Sequence, residues 1–421
     1  MRLLVATLLT FSFSFSLTLH DVLEEALKNN PELKAQESTV ASALYSLKAD
    51  MNLYLPTFFL KTSYSWFSER QKMDISISGI PPIESTKQNY KQFNVGLREV
   101  LYDGGTREAK IDISRSEVEA QESLYKEKRL DIERDVIKAY MDVLSSREII
   151  EVRKKQLEAV ESQLKRAEAF YREGLVAITD VLQARVRLAE VQRDMRYSEG
   201  NYKVALAVLS KLTGMSEKEL ENIEPVKVDV KGLPSLEELY SIAFQRRGIL
   251  VAYEERIFQA KRLKDVERSR YLPKFFLQVE YLYSDQNSLL SPKGVYGVSA
   301  GLNVEFQSLE PYYRLLSKAA EEKGLQFELE DTKNLVKLEV KKAYENFLTS
   351  KDNLRVAESA LRYAEEYYKL SEEQYKNQII SLTDLLIAEA SLSKARKDKT
   401  TTYYEYIKAY FELLRAVGDK I

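Results

Sequence analysis

The heptapeptide Tyr54-Leu55-Pro56-Thr57-Phe58-Phe59-Leu60 returns as Tyr271-Leu272-Pro273-Lys274-Phe275-Phe276-Leu277, six identities in seven at a shift of 217. A chain that repeats itself folds as two similar units, whatever else it does. At a shift of 204, Val136, Ala139, Tyr140 and Leu144 meet Val340, Ala343, Tyr344 and Leu348. The same shift carries Tyr171, Thr179, Asp180, Leu182, Ala184 and Leu188 onto Tyr375, Thr383, Asp384, Leu386, Ala388 and Leu392, and Gly214 onto Gly418. The difference between the shifts leaves roughly a dozen extra residues in the first copy, near 69–89, where a variable loop is expected.

The first repeat spans 17–213 and the second 235–421, joined by 214–234 with Pro225, Gly232 and Pro234. Each opens with a helix, about 19–52 and 235–269, closed by Tyr-Leu-Pro, because Pro restrains the residue before it from helix. Two strands follow, at about 57–68 and 89–101, then at 274–284 and 294–306. A long helix comes next (106–172, then 312–376), then a short turn and a medium helix. No Pro lies between Pro82 and Pro225 or after Pro311, and those stretches are rich in Ala, Leu, Glu, Lys, Arg and Gln. A helix of such length runs about 100 Å. That is a rod packed as a coiled-coil wall.

The strands alternate. Phe58, Leu60, Thr62, Tyr64 and Trp66 oppose Thr57, Phe59, Lys61, Ser63 and Ser65. Phe93, Val95 and Leu97 oppose Gln92, Asn94, Gly96 and Arg98, and the second copy repeats the pattern from Phe275 to Val304. Strands of about ten residues with one apolar face fit a transmembrane β-barrel; a half-buried soluble sheet also alternates. Lipid satisfies no backbone polar group, so such a sheet must close on itself. Four strands are too few, since barrels begin near eight. Copies must share one barrel: two would give eight strands, three would give twelve, wide enough for a conduit.

Scarce residues exclude chemistry. Cys is absent and the single His is His20, so disulfides, thiolate nucleophiles, a Ser-His-Asp triad and a multi-His metal site are excluded within one chain. The 65 acids are spread evenly, and carboxylate pairs arise by chance. The chain reads as a non-enzyme without metal or cofactor. With 63 basic residues against those acids, net charge −2, a phosphate-tracking nucleic-acid surface is not expected. Residues 1–16 read as a secretory signal peptide, and no Cys follows to accept a lipid anchor. No later stretch is apolar enough for a transmembrane helix.

At several places the sequence resembles the TolC-type outer-membrane efflux proteins, over essentially the whole mature chain. Leu17-Thr18-Leu19 with Ala26-Leu27-Lys28-Asn29-Asn30-Pro31-Glu32-Leu33 resembles the family's N-terminal signature. Leu101-Tyr102-Asp103-Gly104-Gly105 resembles its strand-to-helix corner. Gly174-Leu175-Val176-Ala177-Ile178-Thr179-Asp180-Val181-Leu182 is similar to the turn at the periplasmic tip. The second tip turn has Gln378 in place of Gly, and the second corner, Phe306 to Pro311, lacks the Gly pair.

The resemblance implies a mainly α fold with transmembrane β: a homotrimer with a twelve-stranded β-barrel in the outer membrane and a twelve-helix α-barrel tunnel in the periplasm. It implies docking to a periplasmic adaptor and an inner-membrane pump of RND, ABC or MFS type. It implies that Asp180 and Tyr375 join a polar network in a closed tip, and that Asp384 lines the constriction. Ile387 stands where relatives carry a second acid, and Ile380 where an Arg can brace the tip. Each aspartate follows a Thr at a helix start and could equally be an N-cap. Gly174, Leu175, Val176, Ala177, Gln378 and Ile379 are expected to meet the adaptor. The function expected is a passive exit duct for efflux or type I secretion. The alternative is an exported coiled-coil scaffold.

Overall fold

The computed structural model describes residues 17–73, 79, 81–226, 232–305 and 309–419. The 1–16 segment, parts of the 69–89 loop and of the 214–234 link, and Phe306 in the second corner lie outside them. In chain order the elements are α1 (Leu19–Asn29), α2 (Pro31–Met51), β1 (Thr57–Trp66), β2 (Lys72–Met73), β3 (Ile83–Glu84), β4 (Asn89–Tyr102), α3 (Thr106–Arg172), α4 (Ile178–Thr213) and α5 (Glu217–Leu220). Then come α6 (Leu236–Arg246), α7 (Gly248–Ser269), β5 (Lys274–Ser284), β6 (Gly294–Asn303), α8 (Glu310–Lys376) and α9 (Leu382–Val417).

The chain divides into two compact units. One holds Met1–Glu37, Leu124–Leu250 and Asp331–Ile421; the other holds Ser38–Ser123 and Val251–Glu330.

The opening helix of each repeat is two helices, not one. In the first repeat the break is Asn30, extended at ψ 120°, before Pro31. Proline disfavours helix at the residue before it. The Asn30 carboxamide then caps α2, accepting from the Glu32 and Leu33 amides at 2.9 and 3.2 Å. The equivalent break in the second repeat is Arg247, at ψ 113°, with no proline. There the cause is a buried carboxylate. Glu127 accepts from the Gly248 amide at 3.0 Å and from the Arg247 guanidinium at 2.7 Å. Arg247 also donates to Glu339 and to the Ala416 carbonyl, so turning the chain fully pairs a buried charge. The core of this unit is Val136, Ile137, Tyr140, Met141 and Leu144 of α3 against Val22, Ala26, Leu206, Leu209 and Ile407.

In the other unit the four long strands form one antiparallel sheet, ordered β1-β4-β5-β6. The register runs Thr57↔Arg98, Gly96↔Glu280 and Lys274↔Asn303. Directly opposed residues share a face, so Phe58, Leu60, Leu97, Val279 and Val298 gather on one side. Nothing among the described residues covers it: Phe58 and Trp66 are each 65% exposed and Val298 73%. The other side is mostly polar, and two of its aromatic residues lie over glycines. Phe59 lies across Gly96 and Phe276 across Gly301, positions where any Cβ would collide with those rings. Arg98 stacks its guanidinium 3.9 Å above the Phe276 ring.

At the first strand-to-helix corner Gly104 and Gly105 both take positive φ, +76° and +85°. A Cβ on Gly104 would sit 2.9 Å from the Ser269 carbonyl, so this turn excludes side chains twice over. Asp103 then caps α3 through the Thr106 and Arg107 amides, both at 3.1 Å. Within the 69–89 insertion, β2 and β3 pair as a short hairpin. No helix among the described residues is long and apolar enough to cross a membrane.

Candidate gate and docking turns

Two tight turns hand the chain from α3 to α4 and from α8 to α9. Both use a left-handed residue and the same backbone bonds. In the first, Gly174 has φ +72°, its amide donates to Tyr171 at 3.0 Å, and Leu175 donates to Phe170 at 2.9 Å. In the second, Gln378 has φ +58°, its amide donates to Tyr375 at 3.0 Å, and Ile379 donates to Gln374 at 2.8 Å. These bonds satisfy carbonyls that each long helix would otherwise leave open.

The helices that follow start differently. Ser381 caps α9: its hydroxyl accepts from the Asp384 amide, while the Asp384 carboxylate accepts from the Ser381 amide at 3.1 Å and hydroxyl at 2.7 Å. That is a reciprocal capping box. Ala177 occupies the equivalent place before α4 and makes no side-chain cap bond. Neither aspartate is therefore the N-cap residue. Both stand at the third helical position, and only Asp384 is drawn into a box.

Asp180 faces inward instead. Tyr375 is 3% exposed and packs with Ala167, Val181, Ala184, Leu382 and Leu385, with its ring 5.8 Å from that of Phe170. Burial, helped by the Asp180 charge, pushes the Tyr375 hydroxyl above its ordinary range. That hydroxyl has no hydrogen-bond partner among the described residues. An unpaired buried hydroxyl costs about 1–3 kcal/mol. Ile380 is half-buried against the same cluster. Asp384 and Ile387 lie apart from it, on the exposed face of α9.

Of the docking residues, Gly174, Leu175, Ala177, Gln378 and Ile379 are exposed and Val176 is half-buried. Their apolar surface continues along α4 as Ile178, Leu182 and Val186.

Further residues belong to the region and escaped the sequence reading. Thr383 donates to Gln183 at 2.9 Å, tying the starts of α4 and α9 together. Behind the apolar cluster Glu389 is buried, held by Arg187 at 3.2 Å and by Gln156. Burial pushes its carboxyl above the ordinary range even with Arg187 beside it. Only Ser381 had a readable signal, the Ser-Leu-Thr-Asp spacing of a capping box.

The sequence matches the family described as outer membrane efflux protein over residues 22–215 and 239–419. The chain belongs to that family. Among curated relatives, the outer membrane protein TolC of Vibrio cholerae is 23% identical over 413 residues, covering 95% of this chain and 90% of its own length. In structure the chain resembles CusC (TM-score 0.82, 16% identity, covering 96% of this chain and 92% of that one). It also resembles the CmeC outer membrane channel of Campylobacter jejuni (TM-score 0.78, 19% identity, covering 95% and 85%). At these identities the structures speak for the fold, which is mainly helical. Family membership makes this an outer-membrane efflux protein of a Gram-negative-type bacterium.

Proposed function

We propose that three copies of this chain close a twelve-stranded barrel and a twelve-helix tunnel, and serve as a passive exit duct rather than an enzyme. The sheet carries the reading. Its outer strands β1 and β6 each pair on one side only, and its apolar face is open, so further copies are the natural way to satisfy both edges in lipid. The helices support it. Val356, Tyr363 and Leu370 recur every seven residues on α8 and are each more than half exposed, the spacing of a coiled-coil seam waiting for another helix.

In this reading 1–16 is the export signal, and 214–234 links the two repeats near the tunnel's equator. The duct receives cargo from an inner-membrane pump of RND, ABC or MFS type, engaged through a periplasmic adaptor. Gly174, Leu175, Val176, Ala177, Gln378 and Ile379 form the adaptor surface. Asp180, Tyr375 and Ile380 hold the tip closed. Asp384 and Ile387 project into the constriction, where three carboxylates on one axis attract cations.

Mass measurement in mild detergent tests the assembly. A trimer is expected; a stable monomer or dimer contradicts it. Recovery wholly in the soluble fraction without detergent would instead favour a scaffold.

A further inference from the structure

At the foot of the sheet, where α7 runs into β5 and α3 begins, lies a cavity of about 340 Å³. It is lined by Thr106, Lys110, Ser269, Arg270, Lys274 and Asn303, with Leu272 and Val266 as its apolar wall and Glu305 at the edge. Its charges do not balance. Three cations face one carboxylate, and that carboxylate already accepts from the Asn303 amide at 3.0 Å. Arg270 is partly satisfied by Glu267 at 2.9 Å. Lys110 and Lys274 have no carboxylate partner among the described residues.

Two other cavities hold at least as many carboxylates as cations. The one beside Glu389 sets Lys155 and Arg396 against Glu365 and Glu389. Another sets Lys138 and Lys408 against Asp142, Glu405 and Glu412. Two uncompensated lysines sharing a cavity repel one another, and a bound anion relieves that repulsion.

The position narrows the ligand. Lys274 pairs with Asn303 across the ends of β5 and β6 that adjoin the helices. Around that end Tyr271, Leu272, Leu101 and Tyr102 are exposed, the amphipathic belt that marks a membrane–water boundary. Lys274 and Asn303 lie on the polar side of the sheet, so the cavity faces solutes of that side, and a headgroup reaches it only around the end of the sheet. We propose that this cavity binds a phosphate-class anion through Lys110, Lys274 and Arg270. A phospholipid headgroup and a soluble phosphate-bearing solute present the same chemistry to it.

The inference rests on the membrane placement of the strands but not on gating or docking, so it is tested without any transport measurement. The full chain, purified in mild detergent, is compared with Lys110→Gln/Lys274→Gln. Lys293→Gln, in the loop at the far end of β5 and β6, is the control. Native mass spectrometry after exchange into micelles with phosphatidylglycerol or phosphatidylcholine reads lipid retention. Titration with inorganic phosphate and tripolyphosphate, followed by ³¹P line broadening, reads soluble anion.

Selective retention of phosphatidylglycerol, reduced at least tenfold in the double variant and unchanged in the control, supports a headgroup site. Soluble phosphate binding lost in the double variant, without lipid selectivity, supports a solute site. Lys274→Arg keeps the charge and should retain binding, which separates loss of the site from loss of the fold. Equal behaviour of parent and double variant in both arms, or binding of neither probe by the parent, overturns the proposal.

Discussion

The two tip turns share a backbone path and a Thr-Asp pair, and they spend their stability in opposite places. The first uses Gly174 at its left-handed position, where that conformation costs almost nothing, but starts α4 on Ala177 with no cap. The second forces Gln378 into the same conformation and then secures α9 with the Ser381 capping box. A Cβ at Gly174 would meet nothing within 4 Å, so the penalty at either turn is torsional rather than steric. The consequence falls on the aspartates. Asp384 is occupied at one edge by Ser381 and held on an exposed face. Asp180 has no serine to hold it and turns its charge toward Tyr375. Equivalent acids in a duplicated chain thus come to lie in different surroundings, one beside a serine hydroxyl and one without it.

The largest effect expected is on docking. If both turns meet the adaptor, Leu175→Asp with Ile379→Asp should abolish export while trimer formation and membrane insertion persist. Export assays beside detergent mass measurement read this, and unchanged export would remove the turns from the docking surface.

Next comes the difference between the acids. Tyr375→Phe and Asp180→Ala should raise single-channel conductance several-fold by loosening the tip. Asp384→Ala should leave conductance near the parent value but weaken cation preference and block by polyvalent cations. Planar-bilayer recording compares all three, and identical behaviour of the two aspartates would erase the contrast between the turns.

The caps can be exchanged. Gln378→Gly should stabilise its turn by about 1 kcal/mol, the usual cost of a left-handed residue bearing a side chain. Ser381→Ala should destabilise the start of α9 by about 1 kcal/mol, and Ala177→Ser should stabilise α4 by a similar amount. Amide hydrogen exchange in the first turns of α4 and α9 measures each. The last exchange should also draw Asp180 into a capping box, away from Tyr375, and so raise conductance in the direction of Asp180→Ala.

The smallest effect concerns Glu389. Its carboxyl is raised in the folded chain by burial, so the folded state holds the proton more tightly than the unfolded one. Stability from this group therefore falls as pH rises from the ordinary carboxylate range through the raised value, and is flat above it. The stability of the parent relative to Glu389→Gln should accordingly grow as pH is lowered from neutral. Melting curves of both proteins across that range would show a constant gap if Glu389 does not titrate there.

Periodicity made the long helices legible: α3 ends within a residue of where proline-free, Ala- and Leu-rich sequence suggests. The breaks at Asn30 and Arg247 were less accessible. Pro31 advertises the first, but Arg247 turns only because Glu127, more than a hundred residues away, supplies a buried partner. The tip shows the same limit. Left-handed Gln378 could be inferred from its place opposite Gly174, whereas the orphan hydroxyl of Tyr375 depends on packing from four helices. Local chemistry is written locally, and buried polar pairing is not.

The order of the strands carries a kinetic consequence. Because β4 pairs with β5, one junction between hairpins forms inside each chain, at an effective concentration set by the chain itself. In the proposed barrel the matching junction between β6 and β1 would form only when chains meet, so its rate would scale with how crowded the membrane is with newly arrived copies. An ancestor with a single hairpin per chain would have needed every junction to wait for an encounter. In that barrel duplication would move half of them from a bimolecular to a unimolecular step, shortening the time for which strand edges stand open to the wrong partner.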